Sequence, residues 1–190
     1  MKKLLFSLTL IAASISLFSF TAKETKKQGV TFTIDAQKSK VNWTGSKKQD
    51  FHTGYFPVKS GSVQVDGGKL IGGSFVIDIA GNKVTDEAGA KLEGHLASPD
   101  FFDVAKFGEA TFTITSIKYI KADKATITGD VTLKGVKAPI SFDAYIRNTD
   151  DKGFFAEAFF PLDRTVFGIK YGVGMVDSDV QIAVHIYGTK

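Results

Sequence analysis

The sequence predicts an all-β protein, an antiparallel eight-stranded barrel with a short helix at one mouth. Three observations carry this. Beyond about residue 30, apolar and polar side chains alternate with a period of two, the pattern of half-buried strands. Turn-forming residues separate the runs so closely that consecutive strands must be antiparallel. The candidate strands between Thr31 and Tyr187 number about eight, where a closed barrel is just wide enough for side chains or one small ligand.

The chain starts with an element of a different kind. Lys2 and Lys3 precede an uncharged run from Leu4 to Phe20 that ends near the small residues Ser19, Thr21 and Ala22, which reads as a signal peptide over residues 1–22. Cutting after Thr21 fits the small-residue rule better than cutting after Ala22, which would put Phe20 where a small side chain belongs. The competing reading is an uncleaved anchor, since a run of about 18 apolar residues just spans a bilayer. Residues 23–29 are polar and form a flexible lead, and one barrel domain follows at 30–190. Export places the protein in the periplasm or outside the cell. The chain has no Cys, so it lacks a lipid-attachment residue, disulfides and thiolate metal ligands.

Within the domain, Phe75, Ile77 and Ile79 share one strand face, as do Ile127, Val131 and Leu133 around Gly129. The same holds for Ile140, Phe142, Ala144 and Ile146, and for Val180, Ile182, Val184 and Ile186. Asp66-Gly67-Gly68, Ala122-Asp123-Lys124 and Asn148 through Gly153 mark turns. Ala88 to Ser98 breaks the alternation: Leu92 and Leu96 fall on one helical face, Lys91 and Glu93 turn away, and Pro99 stops the helix. Asp163 to Asp177, with Gly168, Gly172 and Gly174, predicts a long loop holding one helical turn.

Charge and motif argue against several functions. The formal charge of +4 becomes +2 once Lys2 and Lys3 are removed, and the lysines are scattered, so no nucleic-acid partner is expected. The three histidines, His52, His95 and His185, have no metal-ligand spacing, and no metal or cofactor is expected. His185 reads as an outward surface residue. His52 reads as a structural hydrogen-bonding group before a ligand contact. Asp150-Asp151 belongs to a turn, and the Asp177 and Asp179 pair offers at most weak cation binding. A lipid-headgroup hydrolase or isomerase with His52 or His95 as base remains an alternative, although acid and nucleophile partners are missing. No catalytic residue is assigned.

The excess lies in aromatic rings: 17 Phe against one Trp and five Tyr. In the pairs Phe154-Phe155 and Phe159-Phe160, a strand must put one ring outward. Exposed rings of this kind suggest a second alternative, an envelope protein-interaction module. The leading expectation is that the inward rings line a cavity. Each methylene of a chain buried there contributes up to about 0.8 kcal/mol.

Several motifs together resemble the YceI-like family. They are Trp43-Thr44-Gly45 with Lys47 and Lys48, His52-Thr53-Gly54, and Leu92 through Asp103. Phe107 with Ala110-Thr111-Phe112, Gly129 through Val136 with Pro139, and Asp163-Arg164 with Phe167-Gly168-Ile169 follow in order. The resemblance covers Val30 to Tyr187, departing at Lys106-Phe107-Gly108, where the family usually has Tyr-Pro, and at Val131, where Leu is common. It implies a lipocalin-like shape and an isoprenoid, quinone-like or other long-chain amphiphilic ligand, held as carrier or reservoir. On this reading the ligand lies against Trp43, Phe75, Ile77, Phe112 and Phe142, with Leu92, Leu96 and Phe101 closing the mouth. His52, Asp163 and Arg164 are candidate polar contacts at the mouth. Arg164 is expected first to lock the loop through an ion pair with Asp163 or another carboxylate. Transient membrane contact fits this reading, and the oligomeric state, a homodimer included, is left open.

Overall fold

The computed structural model describes residues 29–190. The expected signal peptide at 1–22, and all of the expected lead except Gly29, lie outside the described residues. The strands are β1 Val30–Ile34, β2 Lys40–Lys47, β3 Asp50–Asp66, β4 Lys69–Asp78, β5 Lys83–Val84, β6 Glu109–Lys121, β7 Lys124–Leu133, β8 Val136–Asp150, β9 Gly153–Asp163 and β10 Asp179–Thr189. Helix α1, Gly89–Ala97, lies between β5 and β6.

Every strand pairing is antiparallel, and β9 pairs β10 from Asp163↔Asp179 to Phe154↔Gly188, which closes the sheet on itself. Ten strands fill eight lanes, because two lanes are each shared by two strands. β1 and β2 both lie between β3 and β10, one above the other. β5 continues the lane of β4 beside β3.

The break between β1 and β2 shows how a lane is interrupted without orphaning its neighbour's backbone. Asp35 Oδ1 accepts from the Gln37 amide at 3.0 Å and turns the chain out. Ser39, fully buried, then stands in for a ladder rung: its hydroxyl donates to Tyr187 O at 3.2 Å and accepts from Tyr187 N at 2.9 Å. A buried backbone group left unpaired would cost about 1–3 kcal/mol, so one hydroxyl filling both roles is a large local effect.

Alternation places the expected rows inward. On β7 every second residue is buried, from Ala125 through Ile127, Gly129 and Val131 to Leu133. The doublets split as predicted: Phe154 and Phe160 point in, Phe155 stacks on Tyr187 outside at 4.5 Å, and Phe159 is exposed. The β3–β4 hairpin turns at Gly67 and Gly68, both left-handed (φ +56° and +76°), as a two-residue primed turn requires.

The two ends differ. At one, the tight β3–β4, β6–β7 and β8–β9 hairpins surround a packed floor where Phe32 and Phe154 meet at 6.1 Å and Val63, Val65 and Leu70 are buried. At the other lie the β2–β3 hairpin tip, α1 and the loop from Arg164 to Ser178. Here the expected helix and the expected long loop with one 3₁₀ turn, Arg164–Phe167, are both present. One detail of the helix differs. Glu93 does not turn to solvent; its Oε1 accepts from the Val84 amide at 3.0 Å and pins α1 to β5.

Candidate functional site

Inward residues of a filled barrel are shielded on all sides. Here Phe75, Ile77, Ile140, Phe142, Phe160 and Val184 point inward yet are only half-buried. The reason is a cavity of about 390 Å³ running from the floor to the α1 end, within the usual size range of ligand pockets. Which face is inward was legible in the alternation; that the inward rows do not meet was not.

Four rings form one wall of the cavity. Phe75 on β4 stacks against Phe112 on β6 at 6.2 Å, Phe112 meets Phe142 on β8 at 5.8 Å, and Phe142 stacks on Phe160 of β9 at 4.2 Å. β7 lies between β6 and β8, and contact across it depends on Gly129, where a Cβ would overlap the Phe112 ring. Lower on the β8–β9 side the wall thins to Ala144, Ala156 and Ala158, which leaves the hollow. The facing wall carries Trp43, Val41, Ile182 and Val184.

Trp43 is held by two neighbours. Its indole N–H donates to Asn82 Oδ1 at 2.8 Å, and its ring sits close over Gly54, where a Cβ would overlap it. Because an indole only donates, the atom facing it must be the amide oxygen, so the Asn82 NH₂ is the group left over. It is buried without a partner among the described residues. No short motif announces Asn82, and its role was not legible in the sequence.

Among the described residues the polar side chains lining the cavity gather at the α1 end, while Glu157 on β9 borders it with its carboxylate paired to Arg147. Leu92, Leu96 and Phe101 line that mouth, together with His95 and Tyr171, a residue the sequence reading missed. His95, Phe101 and Tyr171 form a three-ring clasp between α1, the turn after it and the loop, with centroid separations of 4.8–5.1 Å. His52 lines the mouth as well, and its Nδ1 lies 3.3 Å from Asp86 Oδ2. Neither the His52 nor the His95 imidazole is hydrogen-bonded to a Ser or Thr hydroxyl among the described residues; the Ser98 hydroxyl donates to the His95 carbonyl instead. His185 faces outward beside Asn42 at 3.3 Å, as expected.

Asp86 organises the edge of the mouth. Its carboxylate accepts from the Thr53 amide at 2.7 Å and the Ala88 amide at 2.9 Å, and these two bonds, assisted by His52, hold it below its ordinary value of 3.8. A carboxyl depressed in the folded state stabilises the fold fully above that ordinary value and loses its contribution as pH falls through the depressed one. Asp86→Ala will therefore be less stable than the parent at pH 7. The difference will close as the medium is acidified below pH 3.8, read from urea midpoints across pH.

Arg164 does lock the loop, but not through a carboxylate. Only 6% exposed, it donates from Nε to Asp177 O at 2.9 Å, from Nη1 to Ile169 O at 2.7 Å and from Nη2 to Val176 O at 3.1 Å. The expected partner Asp163 instead accepts from the amide and hydroxyl of Thr165, at 2.8 and 2.6 Å, and caps the 3₁₀ turn. Asp163 does not face the cavity, whereas Arg164 does. Burial pulls the Arg164 pKa down and Asp163 opposes this. The guanidinium stays charged because its ordinary value is so high. Among the described residues no group of three or more His, Cys, Asp or Glu is placed to hold a metal.

Comparison with known proteins supports the same architecture. BcnA of Burkholderia cenocepacia superposes with a TM-score of 0.71 at 24% identity, covering 82% of this chain and 99% of that one. A polyisoprenoid binding domain from Saccharophagus degradans gives 0.65 at 14% identity, over 83% and 97% of the two chains. At these identities the likeness is one of fold. Protein YceI of Escherichia coli O157:H7 is 35% identical over 108 residues, where the match spans 53% of this chain and about half, 55%, of that protein. Protein YceI of Salmonella newport is 31% identical over 203 residues, covering 100% of this chain and 99% of its own. Residues 32–187, nearly the whole barrel, match the YceI-like domain, and the chain therefore belongs to the YceI-like domain family.

Proposed function

We propose that the barrel binds one long-chain apolar amphiphile, of the polyisoprenoid or quinone-like class, with its tail in the cavity and its head at the α1 mouth. The supporting observation is the hollow interior itself: its lining among the described residues is mainly apolar, and its polar side chains gather at the α1 mouth. Apolar area supplies the affinity and discriminates weakly between chains, while the mouth supplies selectivity. The name of the Saccharophagus relative points to the same ligand class. On this reading the protein is a non-catalytic carrier or reservoir. It is exported through the signal peptide at 1–22 to the periplasm or beyond the cell, and it exchanges cargo in transient contact with a membrane.

Mass spectrometry of organic extracts of the purified chain tests this directly. The expected result is one amphiphile class in near-stoichiometric amount. Repeated recovery of chain with no bound amphiphile, and no uptake of added isoprenoid quinone, would sink the proposal.

A further inference from the structure

Two tips meet at the open end of the barrel. One is the β2–β3 hairpin around Lys48 and Gln49; the other is the loop from Lys170 to Val176. They are joined by the Asp177 amide donating to Ser46 O at 2.9 Å and by a bridge between Lys47 and Val176. From these tips Met175, Phe51 and Val173 stand in water at 73, 60 and 57% exposure, and Tyr171 is exposed beside them. Elsewhere among the described residues the exposed large apolar residues, Val30, Ile71, Ile120, Val136, Phe159 and Val166, are spread over six different elements. Single exposed residues need no explanation, whereas a cluster marks a surface that meets something apolar.

The charges between these side chains indicate what that is. Of the charged side chains on the loop from Arg164 to Ser178, Lys170 and Asp177 are exposed, while Arg164 is buried beneath it. The hairpin tip carries Lys47 and Lys48 against Asp50, which Lys47 holds at 3.2 Å. Basic groups interleaved with projecting apolar side chains match an anionic lipid interface, which takes the apolar groups below its headgroups and the ammonium groups among them. The loop can lead, because Arg164 fixes both its ends through Ile169, Val176 and Asp177 while its tip turns on left-handed Gly172 and Gly174. Behind the tip, Tyr171 lines the cavity and contacts His95 and Phe101, so whatever the tip enters lies against the mouth.

We infer that the hairpin tip and the loop tip form a docking surface for anionic bilayers, with Val173 and Met175 inserted and the cavity mouth pressed to the lipid. The inference rests on the amphiphile reading for its purpose, but its test does not. The chain has no Cys, so Met175→Cys in the full chain takes a single environment-sensitive nitrobenzoxadiazole label. With phosphatidylcholine vesicles containing phosphatidylglycerol, the label is expected to shift blue and be quenched by doxyl lipids. A label on Ile120→Cys, at the closed end, is expected to stay in water. Lys170→Glu is expected to weaken the response at least about fivefold, the worth of one basic residue near an anionic surface. A Met175 label that stays in water, or one matched by the Ile120 label, overturns the surface. So does a label buried only on addition of envelope proteins, which would indicate a protein partner. Uptake of cis-parinaric acid delivered from ethanol separates the two readings. Uptake without a Met175 shift keeps the cargo and removes the docking surface; a shift without uptake does the reverse.

Discussion

Arg164→Met will lower the thermal midpoint by roughly 6–12 °C, the shift that about 3 kcal/mol produces in a domain of this size. The figure follows from the bonding. Three hydrogen bonds from a charged donor are worth about 1.5–3 kcal/mol each, and the relief of no longer burying a cation offsets part of that sum. Removing the guanidinium strands the carbonyls of Ile169, Val176 and Asp177 together. Arg164→Lys will not rescue the fold, because a single ammonium cannot serve three carbonyls held by a planar fork. The same variant will expose the loop around Gly172 to proteases before the barrel unfolds. A midpoint within 2 °C of the parent, by circular dichroism, would show that the loop is held by its rings and its backbone bridge to the hairpin instead.

Ala156→Phe will close the cavity from within. Ala156 points inward on β9 between Phe154 and Ala158, where the wall is thinnest, and it is only half-buried because it faces the hollow. A phenyl ring there displaces about two or three methylenes of guest, each worth up to about 0.8 kcal/mol, so the dissociation constant rises roughly 30-fold. Stability is expected to hold or improve, since the ring fills space instead of forcing its way into packed atoms. Ala183→Phe, on the outer face of β10, is the control and leaves binding unchanged. Titration with a displaceable fluorescent fatty acid reads both, and equal affinities for Ala156→Phe and the parent would place the guest outside the barrel.

How much of this was legible in the sequence depends on the range of the interactions. Rows such as Val180, Ile182, Val184 and Ile186 are set by the two-residue pleat, and Gly67-Gly68 by a local backbone demand, so both were readable along the chain. Ser39 was not, because its bonding to Tyr187 spans 148 positions and exists only once the register is fixed. Arg164 was half legible: its restraint of the loop followed from its chemistry, but carbonyl oxygens leave no trace in residue identity, so a carboxylate was expected in their place. Tyr171 and Asn82 were missed for a related reason. Each acts on a partner from another segment, Tyr171 on His95 and Asn82 on Trp43, and neither sits in a short motif.

The packed floor has a consequence for traffic. With Phe32 and Phe154 sealing one end, the barrel is a blind tube, and anything inside must leave by the opening through which it came. A second guest cannot push the first out ahead of it. On the proposed carrier reading, exchange is then one out before one in, at a pace set at the rim by how often the rings of His95, Phe101 and Tyr171 part.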